Sequence, residues 1–394
     1  MQPRESLLAE LAGLLADNGI GLTMLTPRPR GRGLGDGTRD QLQRVLAELE
    51  ASSPAPADLV YGNSCFAVGR YLDATAVYRR ILETRPDDSA ARFNLGLTLL
   101  RERRHREAVD ELTSLLAREP QMAEAHYQRG NGNDDLGDHE LALGDYARAI
   151  ELNPSYLQAF YNRGVVLARL DRHQEAVGEF DRVVALNPDI SNAYLNRGAS
   201  RDELGLHPEA VGDYDEALRC NPENADAFFN RARTHYHLGN IEETIADYSE
   251  VIRLTPDDAE ALNNRGLAFD ALEDYSKALE DYSQAMTLRP DFSEALSNRG
   301  AALEASGKLE EALEDYLAAL TVDPTFAAAH FNAARLYTKQ RDLDRCLPHL
   351  DEAIRLSPEM GEDAAQDEHL SWVLRLRELK QQGDNRSENR EGTG

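Results

Sequence analysis

Small, aromatic and proline residues recur along the chain at intervals of 34 residues. When each repeat is numbered so that its proline is position 32, the first repeat begins at Ala55 and the ninth ends at Met360. Position 8 is Gly or Ala in every repeat, position 20 is Ala in seven, and position 24 is Tyr or Phe in seven. Small residues let two antiparallel helices pack closely, the ring fills space, and the proline ends the second helix. The pattern predicts nine helical hairpins over residues 55–360, with prolines at Pro86, Pro120, Pro154, Pro188, Pro222, Pro256, Pro290, Pro324 and Pro358.

The residues before the first repeat carry a different pattern. Leucines at helical spacing predict amphipathic helices over Glu5–Asn18 and Asp40–Ala51. Between them, Pro27–Gly33 alternates arginine with proline and glycine, which predicts a flexible loop. We interpret residues 1–54 as a helical cap that closes the first repeat. Alternatively, the basic loop docks on the acidic surface of a neighbouring molecule.

A second cap is predicted after the last repeat, over residues 361–382. A helix is expected from Asp363 to Gln382, and it contains the single tryptophan, Trp372, among leucines and a valine. Arrays of repeats need such caps, because the last hairpin otherwise exposes apolar surface. Residues 383–394 are polar and are predicted to be a disordered tail.

The repeated positions resemble the tetratricopeptide repeat (TPR) family over all nine units. The likeness covers the spacing, the pairs of small residues, the aromatic position and the terminal proline. It implies an all-α fold, a right-handed α-solenoid superhelix of stacked hairpins whose first helices line the concave face.

The charge balance restricts the partners. Acidic residues outnumber basic residues by 70 to 43, which gives a formal net charge of -27. This balance argues against nucleic-acid binding, since phosphate contacts require clustered Lys and Arg, and it favours basic partners. The sequence carries no recognisable secretory signal or membrane span, and its three cysteines lie far apart, so we expect a cytoplasmic location without membrane insertion.

Position 6 carries an amide side chain in the second to ninth repeats, near the middle of the first helix. Asparagine is a poor helix former, so packing alone does not explain this column. An amide offers two donors and one acceptor, which match the backbone of an extended peptide. The resemblance to the TPR superhelix of the O-linked N-acetylglucosamine transferases, where a similar asparagine ladder holds substrate backbone, implies the same role. Alternatively, the amides only bridge adjacent helices. The amide column consists of Asn94, Gln128, Asn162, Asn196, Asn230, Asn264, Asn298 and Asn332.

Rings and carboxylates beside the amide column extend the predicted peptide-binding site. Rings at position 5 would contact peptide side chains, and carboxylates at position 12 would bind Lys or Arg. The alternatives are that the rings pack within the hairpins and that the carboxylates form a solvated face. These candidates are Phe93, Tyr127, Tyr161 and Phe229 for the rings, and Asp134, Asp202, Asp270 and Glu304 for the carboxylates.

A third polar pattern is interpreted as structural. In repeats three to eight, Arg at position 7 occurs together with an acidic residue at position 23, which predicts an ion pair across each hairpin. Glu111, opposite Leu95, is the acidic residue that lacks this arginine.

The sequence therefore predicts a scaffold or adaptor that binds an extended, basic protein segment in its concave groove. The alternatives are a self-assembling scaffold that uses its ends or its basic N-terminal loop, and a co-chaperone-like binder, which the lack of Lys and Arg at position 5 disfavours. No nucleophile–base pair or phosphate-binding loop stands out, so we expect neither enzymatic activity nor a cofactor. We also expect no metal site, because the histidines at position 17 belong to successive hairpins and lie too far apart to share one. These histidines are His105, His139, His173 and His207.

Overall fold

The structure, a computed structural model, describes residues 4–25, 34–52 and 58–377. Within these ranges every regular element is an α-helix, and the predicted all-α solenoid of consecutive hairpins is confirmed. The predicted loop at 27–33 and the predicted tail at 383–394 lie outside the described residues. The chain divides into two compact units, Met1–Leu204 and Gly205–Gly394.

In the first unit, consecutive helices pack against each other from α3 to α11. The two helices before them, α1 and α2, pack against each other and against α3. The helices are α1 (Arg4–Asp17), α2 (Asp36–Ser52), α3 (Leu59–Ala67), α4 (Tyr71–Thr84), α5 (Ser89–Arg101), α6 (His105–Leu116), α7 (Ala123–Asp135), α8 (His139–Leu152), α9 (Leu157–Arg169), α10 (His173–Leu186) and α11 (Ser191–Glu203).

In the second unit, consecutive helices again pack in sequence, from α12 to α21. None of the helices in the described ranges is both long enough and apolar enough to cross a membrane. The helices are α12 (His207–Cys220), α13 (Ala225–His237), α14 (Ile241–Leu254), α15 (Ala259–Ala271), α16 (Tyr275–Leu288), α17 (Ser293–Ala305), α18 (Leu309–Val322), α19 (Ala327–Lys339), α20 (Leu343–Leu356), α21 (Met360–Gln366) and α22 (371–377).

Glycine at position 8 is required by the ring at position 24 of the same hairpin. A Cβ atom added to Gly164 would lie 2.9 Å from the ring of Phe180, and one added to Gly130 would lie 2.8 Å from Tyr146. Both distances are shorter than a carbon–carbon contact allows. Ring and glycine therefore fit together within the hairpin, and this contact brings the two helices close enough for polar groups to meet across them.

Position 15, two residues after the end of the first helix of each repeat, has a left-handed backbone. Glycine adopts this conformation without strain, as at Gly137, where φ is 81°. Asp171 and Glu273 adopt it with φ values of 57° and 59°, and a side chain in this region costs about 1 kcal/mol. The turn between the helices is therefore set by the packing of the hairpin, even where the local sequence opposes it.

The N-terminal helices complete the core of the first repeats. Leu7, Leu11 and Leu15 of α1 are buried and belong to one apolar cluster with Cys65 of α3. Burial raises the pKa of the Cys65 thiol to about 12, so this thiol stays protonated at neutral pH. The two helices agree with the sequence pattern, although α2 begins at Asp36, earlier than predicted.

The C-terminal helix was predicted as one continuous element from Asp363 to Gln382. This prediction was wrong, because the structure has two helices, α21 and α22, in this region. The helix breaks at Asp367, whose Oδ1 accepts hydrogen bonds from the amides of His369 and Leu370 at 2.8 and 2.9 Å. A side chain that caps new backbone donors in this way starts a second helix. Leu370 is buried, whereas Trp372 is 44% exposed.

Candidate functional site

A buried asparagine of the amide column holds the main chain of the N-terminal segment, residues 20–25. Nδ2 of Asn94 donates to the Thr23 carbonyl at 2.7 Å, and Oδ1 of Asn94 accepts from the Leu25 amide at 2.8 Å. Asn94 is fully buried. One amide of the predicted column therefore binds backbone through both ends of its carboxamide, and that backbone belongs to the chain itself.

A second asparagine, Asn63 at position 9 of the first repeat, takes part in the same contact. Its Nδ2 donates to the Gly21 carbonyl at 2.7 Å, while its Oδ1 accepts from Asn94 Nδ2 at 2.9 Å and from the Tyr78 hydroxyl at 2.7 Å. The segment bends at residues 22–24 and does not run straight. Sequence reasoning missed Asn63 because position 9 is not an amide column. One feature of the sequence could have pointed to Asn63, namely a second asparagine at position 9, Asn131, two repeats later.

Asparagines of the amide column also link neighbouring repeats. Each of three asparagines donates from Nδ2 to the side chain at position 5 of the preceding repeat. These bonds are the bridging contacts that the alternative interpretation described, and they use the nitrogen side of the carboxamide. The bonds join Asn162 to the Tyr127 hydroxyl at 3.1 Å, Asn196 to the Tyr161 hydroxyl at 3.0 Å, and Asn298 to Asn263 Oδ1 at 2.9 Å.

The remaining amides of the column differ among themselves. Gln128 is buried, and its Nε2 donates to a glutamate of the same helix at 2.8 Å. Asn264 Oδ1 accepts from the neighbouring Asn263 at 3.2 Å. Asn230 and Asn332 are half-buried. The positions of the amide column therefore differ in their burial and in their hydrogen-bond partners. The role of the column in binding a partner stays a prediction.

The four predicted rings all make contacts within the array. Phe93 is 1% exposed and belongs to the apolar core, so its ring does not reach the surface. The other three rings are half-buried and pack against rings of their own hairpins. The pairs are Tyr127 with Tyr146 at 5.9 Å between ring centres, Tyr161 with Phe180 at 5.9 Å, and Phe229 with Tyr248 at 5.4 Å.

Two of the predicted carboxylates are already paired with basic side chains of the next repeat. Asp134 accepts from Arg169 at 2.7 Å. Glu304 accepts from Arg335 at 2.9 Å and from Lys339 at 2.7 Å. Burial alone would raise the pKa of Glu304, but the hydrogen bonds from these two cations outweigh it, and the pKa lies below its usual value. A cationic partner would have to share these carboxylates with the chain's own cations.

The other two carboxylates have different surroundings. Asp270 Oδ2 accepts from the Tyr282 hydroxyl at 2.7 Å, while Oδ1 is buried without a hydrogen-bond partner among the described residues. Burial raises the pKa of Asp270 above its ordinary value. Asp202 is half-buried. Asp270 is therefore a carboxylate that an additional donor would stabilise.

The ion pairs predicted across the hairpins are present in repeats three, four, six, seven and eight, and in the sixth repeat the arginine also contacts the preceding repeat. Arg231 donates to both oxygens of Asp247, at 2.8 and 2.6 Å, and also forms an ion pair with Asp215 of the preceding repeat. One guanidinium thus joins three helices. The same pairing with position 23 occurs between Arg129 and Asp145, Arg163 and Glu179, Arg265 and Asp281, and Arg299 and Asp315.

The acidic residue that lacked its arginine is also paired. Glu111 accepts from Arg92, at position 4 of the same repeat, at 2.6 Å. In the ninth repeat, the same two positions hold His330 and His349, whose Nδ1 atoms are 2.8 Å apart. In the second to ninth repeats, position 23 therefore carries a polar side chain that a residue at position 4 or position 7 can pair with.

Three of the histidines at position 17 lie close to acidic side chains, and the longest of these distances is 3.8 Å, between His173 Nε2 and Asp171. His105 Nδ1 lies 3.2 Å from Asp135, and His139 Nδ1 lies 2.9 Å from Asp134. Among residues 4–25, 34–52 and 58–377, no group of three or more His, Cys, Asp or Glu side chains is arranged to hold a metal ion.

Comparison with protein families gives matches in both units. Models described as tetratricopeptide repeat match residues 62–123, 127–190, 213–246, 259–292, 293–326 and 327–360, and a model described as TPR repeat matches residues 232–272. Together they cover more than half of the chain. The chain belongs to the tetratricopeptide repeat family. TPR proteins generally act as scaffolds for protein interactions.

Several solved TPR structures are similar to parts of this TPR protein. The structure described as YrrB, "a TPR protein with an unusual peptide-binding site", is 24% identical, covers 45% of this chain and 92% of its own, and has a TM-score of 0.39. MamA from Desulfovibrio magneticus RS-1, from residue 41 to its end, is 22% identical, covers 44% of this chain and 97% of its own, and has a TM-score of 0.42. No curated protein matches the sequence.

A cavity of about 260 Å³ opens beside Asn196 in the first unit of this TPR array. Its walls include Val165, Phe180 and Ser200. The hydroxyl of Ser200 is buried and has no hydrogen-bond partner among the described residues. The walls of this cavity therefore combine apolar side chains with the polar side chains of His173, Ser200 and Glu203.

Proposed function

We propose that this TPR protein is a non-catalytic scaffold that binds a peptide segment of another protein through the amide column. The bound segment is held mainly by hydrogen bonds to its main chain. Side-chain contacts to the half-buried rings and to the cavity beside Asn196 add selectivity.

The contact between Asn94 and residues 23–25 carries this proposal. In it, one amide of the column satisfies a carbonyl and an amide of non-helical backbone at the same time. Because backbone groups are common to all peptides, an amide column of this kind binds many sequences, and selectivity has to come from other groups.

The excess of acidic residues supports a basic partner. The charge of -27 attracts cations over a distance of about 8 Å at physiological ionic strength, so the attraction acts mainly on the rate of association. Since Asp134 and Glu304 are already paired, we infer that this attraction comes from the whole surface and that binding weakens as salt is added.

The proposed setting is the cytosol. Cys65 and Cys346 are buried free thiols, and Cys220 is a partly buried free thiol. Burial raises the pKa values of Cys65 and Cys346, which keeps both thiols protonated and unreactive. These thiols are compatible with a reducing compartment and need no disulfide to support the fold.

The experiment compares capture of partners from the native host by the wild-type protein and by a variant with Asn196, Asn230 and Asn264 replaced by Ala. We expect the variant to lose captured partners while its mass by light scattering and its helical content stay unchanged. The matched control replaces three exposed asparagines at position 31, namely Asn153, Asn187 and Asn221, and should capture normally. Equal capture by both variants would contradict the proposal.

Self-assembly is the other outcome to distinguish. Removal of residues 1–38 would delete the buried leucines of α1, so it would unfold the first repeats rather than test docking. Replacement of Arg28, Arg30 and Arg32 by Ser tests the predicted basic loop and leaves the leucines of α1 unchanged. A change of mass in this variant, with partner capture intact in the asparagine variant, would favour self-assembly.

A further inference from the structure

One cavity of the first unit contains buried polar atoms that no side chain in the described ranges satisfies. It is the cavity of about 260 Å³ beside Asn196, the Asn196 cavity. The Ser200 hydroxyl and Nδ1 of His173 are both buried and have no hydrogen-bond partner among the described residues. The whole Ser200 residue is only 2% exposed. A buried polar atom without a partner costs free energy, so the cavity favours a ligand that supplies the missing bonds.

The polar atoms around the Asn196 cavity are all able to accept a hydrogen bond. Nε2 of His173 lies 3.8 Å from a carboxylate oxygen of Asp171, which favours the proton on Nε2 and leaves a lone pair on Nδ1. The amide nitrogen of Asn196 donates to the Tyr161 hydroxyl at 3.0 Å, which leaves the amide oxygen as an acceptor. Glu203 adds an exposed carboxylate. Together with the serine hydroxyl, which can also accept, these atoms require a ligand that brings donors.

The charge around the cavity favours a cation. Among the described residues that line it, Glu203 is acidic and none is Lys or Arg. Ala168 lies in the last turn of α9, and Ser200 and Glu203 lie in the last turn of α11. The C-terminal end of a helix carries partial negative charge, which stabilises a nearby cation. These two ends outnumber the one N-terminal end at the cavity, that of α10, which begins at His173.

The remaining walls are apolar and restrict the shape of the ligand. The side chains of Val165, Ala168 and Ala199 and the ring of Phe180 line the same space as the polar atoms. Apolar walls favour contact with an alkyl chain. The volume of about 260 Å³ lies below the range of about 300–1,000 Å³ that is typical of pockets for drug-sized ligands. The cavity therefore fits a single alkyl chain with one polar end.

We propose that the Asn196 cavity binds a primary alkylammonium group, namely the lysine side chain of a partner protein. The alkyl stem lies along the apolar walls, and the ammonium group donates to the acceptors of His173, Ser200 and Glu203. This assignment rests on the proposed function and names the side chain that the scaffold selects. A free alkylamine has the same chemistry, and the test separates the two sources.

An ammonium group fits these acceptors better than a guanidinium group does. The ammonium is a compact charge whose three donors can turn toward separate acceptors, whereas the guanidinium is planar and binds best to both oxygens of one carboxylate. Hydrogen bonds from a charged donor are also stronger than neutral ones, so the ammonium competes with the water that polar cavities hold. The cavity thus separates lysine from arginine, two residues that the overall negative charge attracts equally.

The first test uses the full-length protein with ¹³C-labelled valine methyl groups and n-pentylamine as the probe. The methyl signals of Val165 are followed by NMR as the amine is added to millimolar concentrations, at a pH well above about 6.5, where histidine side chains are ordinarily neutral. We expect saturable shifts of these signals. n-Pentanol, which has the same chain without the charge, and n-butylguanidinium should each bind about 10-fold more weakly.

Two variants locate the ammonium group without disturbing the fold. Ser200→Ala removes the buried hydroxyl and should weaken n-pentylamine about 10-fold, because a hydrogen bond to a charged group is lost. Glu203→Gln removes the charge of an exposed side chain, so it should weaken the amine only about threefold and leave n-pentanol nearly unchanged. Glu151→Gln is the matched control and should bind like the wild type. Glu151 is exposed, lies near the C-terminal end of α8 and does not line the cavity.

The second test identifies the source of the ammonium group. Pools of short, N-terminally acetylated peptides are passed over the immobilised full-length protein, and the retained peptides are quantified by mass spectrometry. The central residue of a pool is lysine, arginine, acetyl-lysine or norleucine, and the other positions are random without lysine. We expect the lysine pool to be retained about 10-fold above the other three. Ser200→Ala should remove this difference.

Equal binding of n-pentylamine and n-pentanol would overturn the assignment, and so would equal binding of n-pentylamine by Ser200→Ala and the wild type. If the amine binds as expected but the lysine pool is not preferred, the occupant is a free amine, and the assignment to a partner's lysine is overturned. The scaffold function is decided separately, by the capture experiment with the asparagine variant.

Discussion

Replacement of Asn94 by Ala is the sharpest test of how the amide column binds backbone. The change removes a carboxamide that contacts Thr23, Leu25 and Asn63 and leaves helix α5 intact, because Ala is the better helix former. Asn162→Ala is a matched control. It removes the same residue type from the same repeat position, and it likewise removes a bond to a position-9 asparagine.

The expected magnitude follows from three lost hydrogen bonds. Each contributes about 1 kcal/mol net, and a buried group left without a partner costs between about 1 and 3 kcal/mol. Asn63 Oδ1 keeps its bond from Tyr78, and the Thr23 carbonyl keeps a longer bond from Asn63 Nδ2 at 3.4 Å, so the largest penalty falls on the Leu25 amide. We expect a loss of about 3 kcal/mol in the free energy that holds the segment in place, which corresponds to roughly a 100-fold larger population of the released segment.

Hydrogen exchange resolved to single amides measures this loss directly. The Leu25 amide donates to Asn94, so its exchange reports release of the segment. In Asn94→Ala we expect Leu25 to exchange about 100-fold faster, whereas in Asn162→Ala its rate should stay near that of the wild type. The thermal unfolding temperature should change little, since the segment can detach while the helices stay folded. The large effect should be confined to the exchange rate of the Leu25 amide.

Two results would refute this reasoning. An unchanged exchange rate at Leu25 in Asn94→Ala would mean that the segment is held by its apolar contacts, such as the buried side chain of Leu25 itself, and not by the amide. Equal acceleration in both variants would mean that the substitutions loosen the whole unit. In either case, the backbone-binding role of the column would lose its main support.

Three further predictions concern stability. Gly164→Ala should lower the free energy of unfolding in urea by about 1–3 kcal/mol because its Cβ meets a ring, whereas Gly178→Ala, which meets nothing within 4 Å, should raise it by about 0.5–1 kcal/mol. Arg231→Ala leaves the buried Asp247 carboxylate without its main partner and should cost about 2 kcal/mol in the same titration. Burial and His330 lower the pKa of His349, so the folded protein binds this proton less readily than the unfolded chain. Its unfolding temperature should therefore fall below pH about 6.5, less steeply in His349→Leu.

The hairpins could be predicted from the sequence because their determinants are local and repeated. Gly164 and Phe180 lie in one hairpin, and their steric fit imposes a residue type on both positions in nearly every repeat. The pairing of Arg231 with Asp247 was predictable for the same reason, since both positions vary together. Each repeat thus shows the same packing requirement again, and the agreement among repeats makes the requirement visible in the sequence.

Contacts that occur once could not be predicted in this way. The bond between Leu25 and Asn94 joins residues 69 positions apart and has no counterpart in the periodic pattern. The break at Asp367 likewise depends on one side chain that accepts from two amides. The partner of Glu111 was missed because Arg92 satisfies it from another position in the repeat. In each case, the sequence shows a polar group that needs a partner, but it does not indicate which residue is that partner.

Under the proposed function, an asparagine at position 6 contacts the preceding repeat and the partner with one short side chain. In Asn162 and Asn196, the nitrogen side of the carboxamide is fixed by a hydroxyl of the preceding repeat, which leaves the oxygen side in a defined orientation. A side chain held in this way loses little further freedom when it binds a partner, so less free energy is lost to ordering. Gln128 has one more rotatable bond, and its amide turns back to a glutamate on its own helix. The bridging bonds are therefore compatible with the proposed binding of backbone, because they would orient the amide for it.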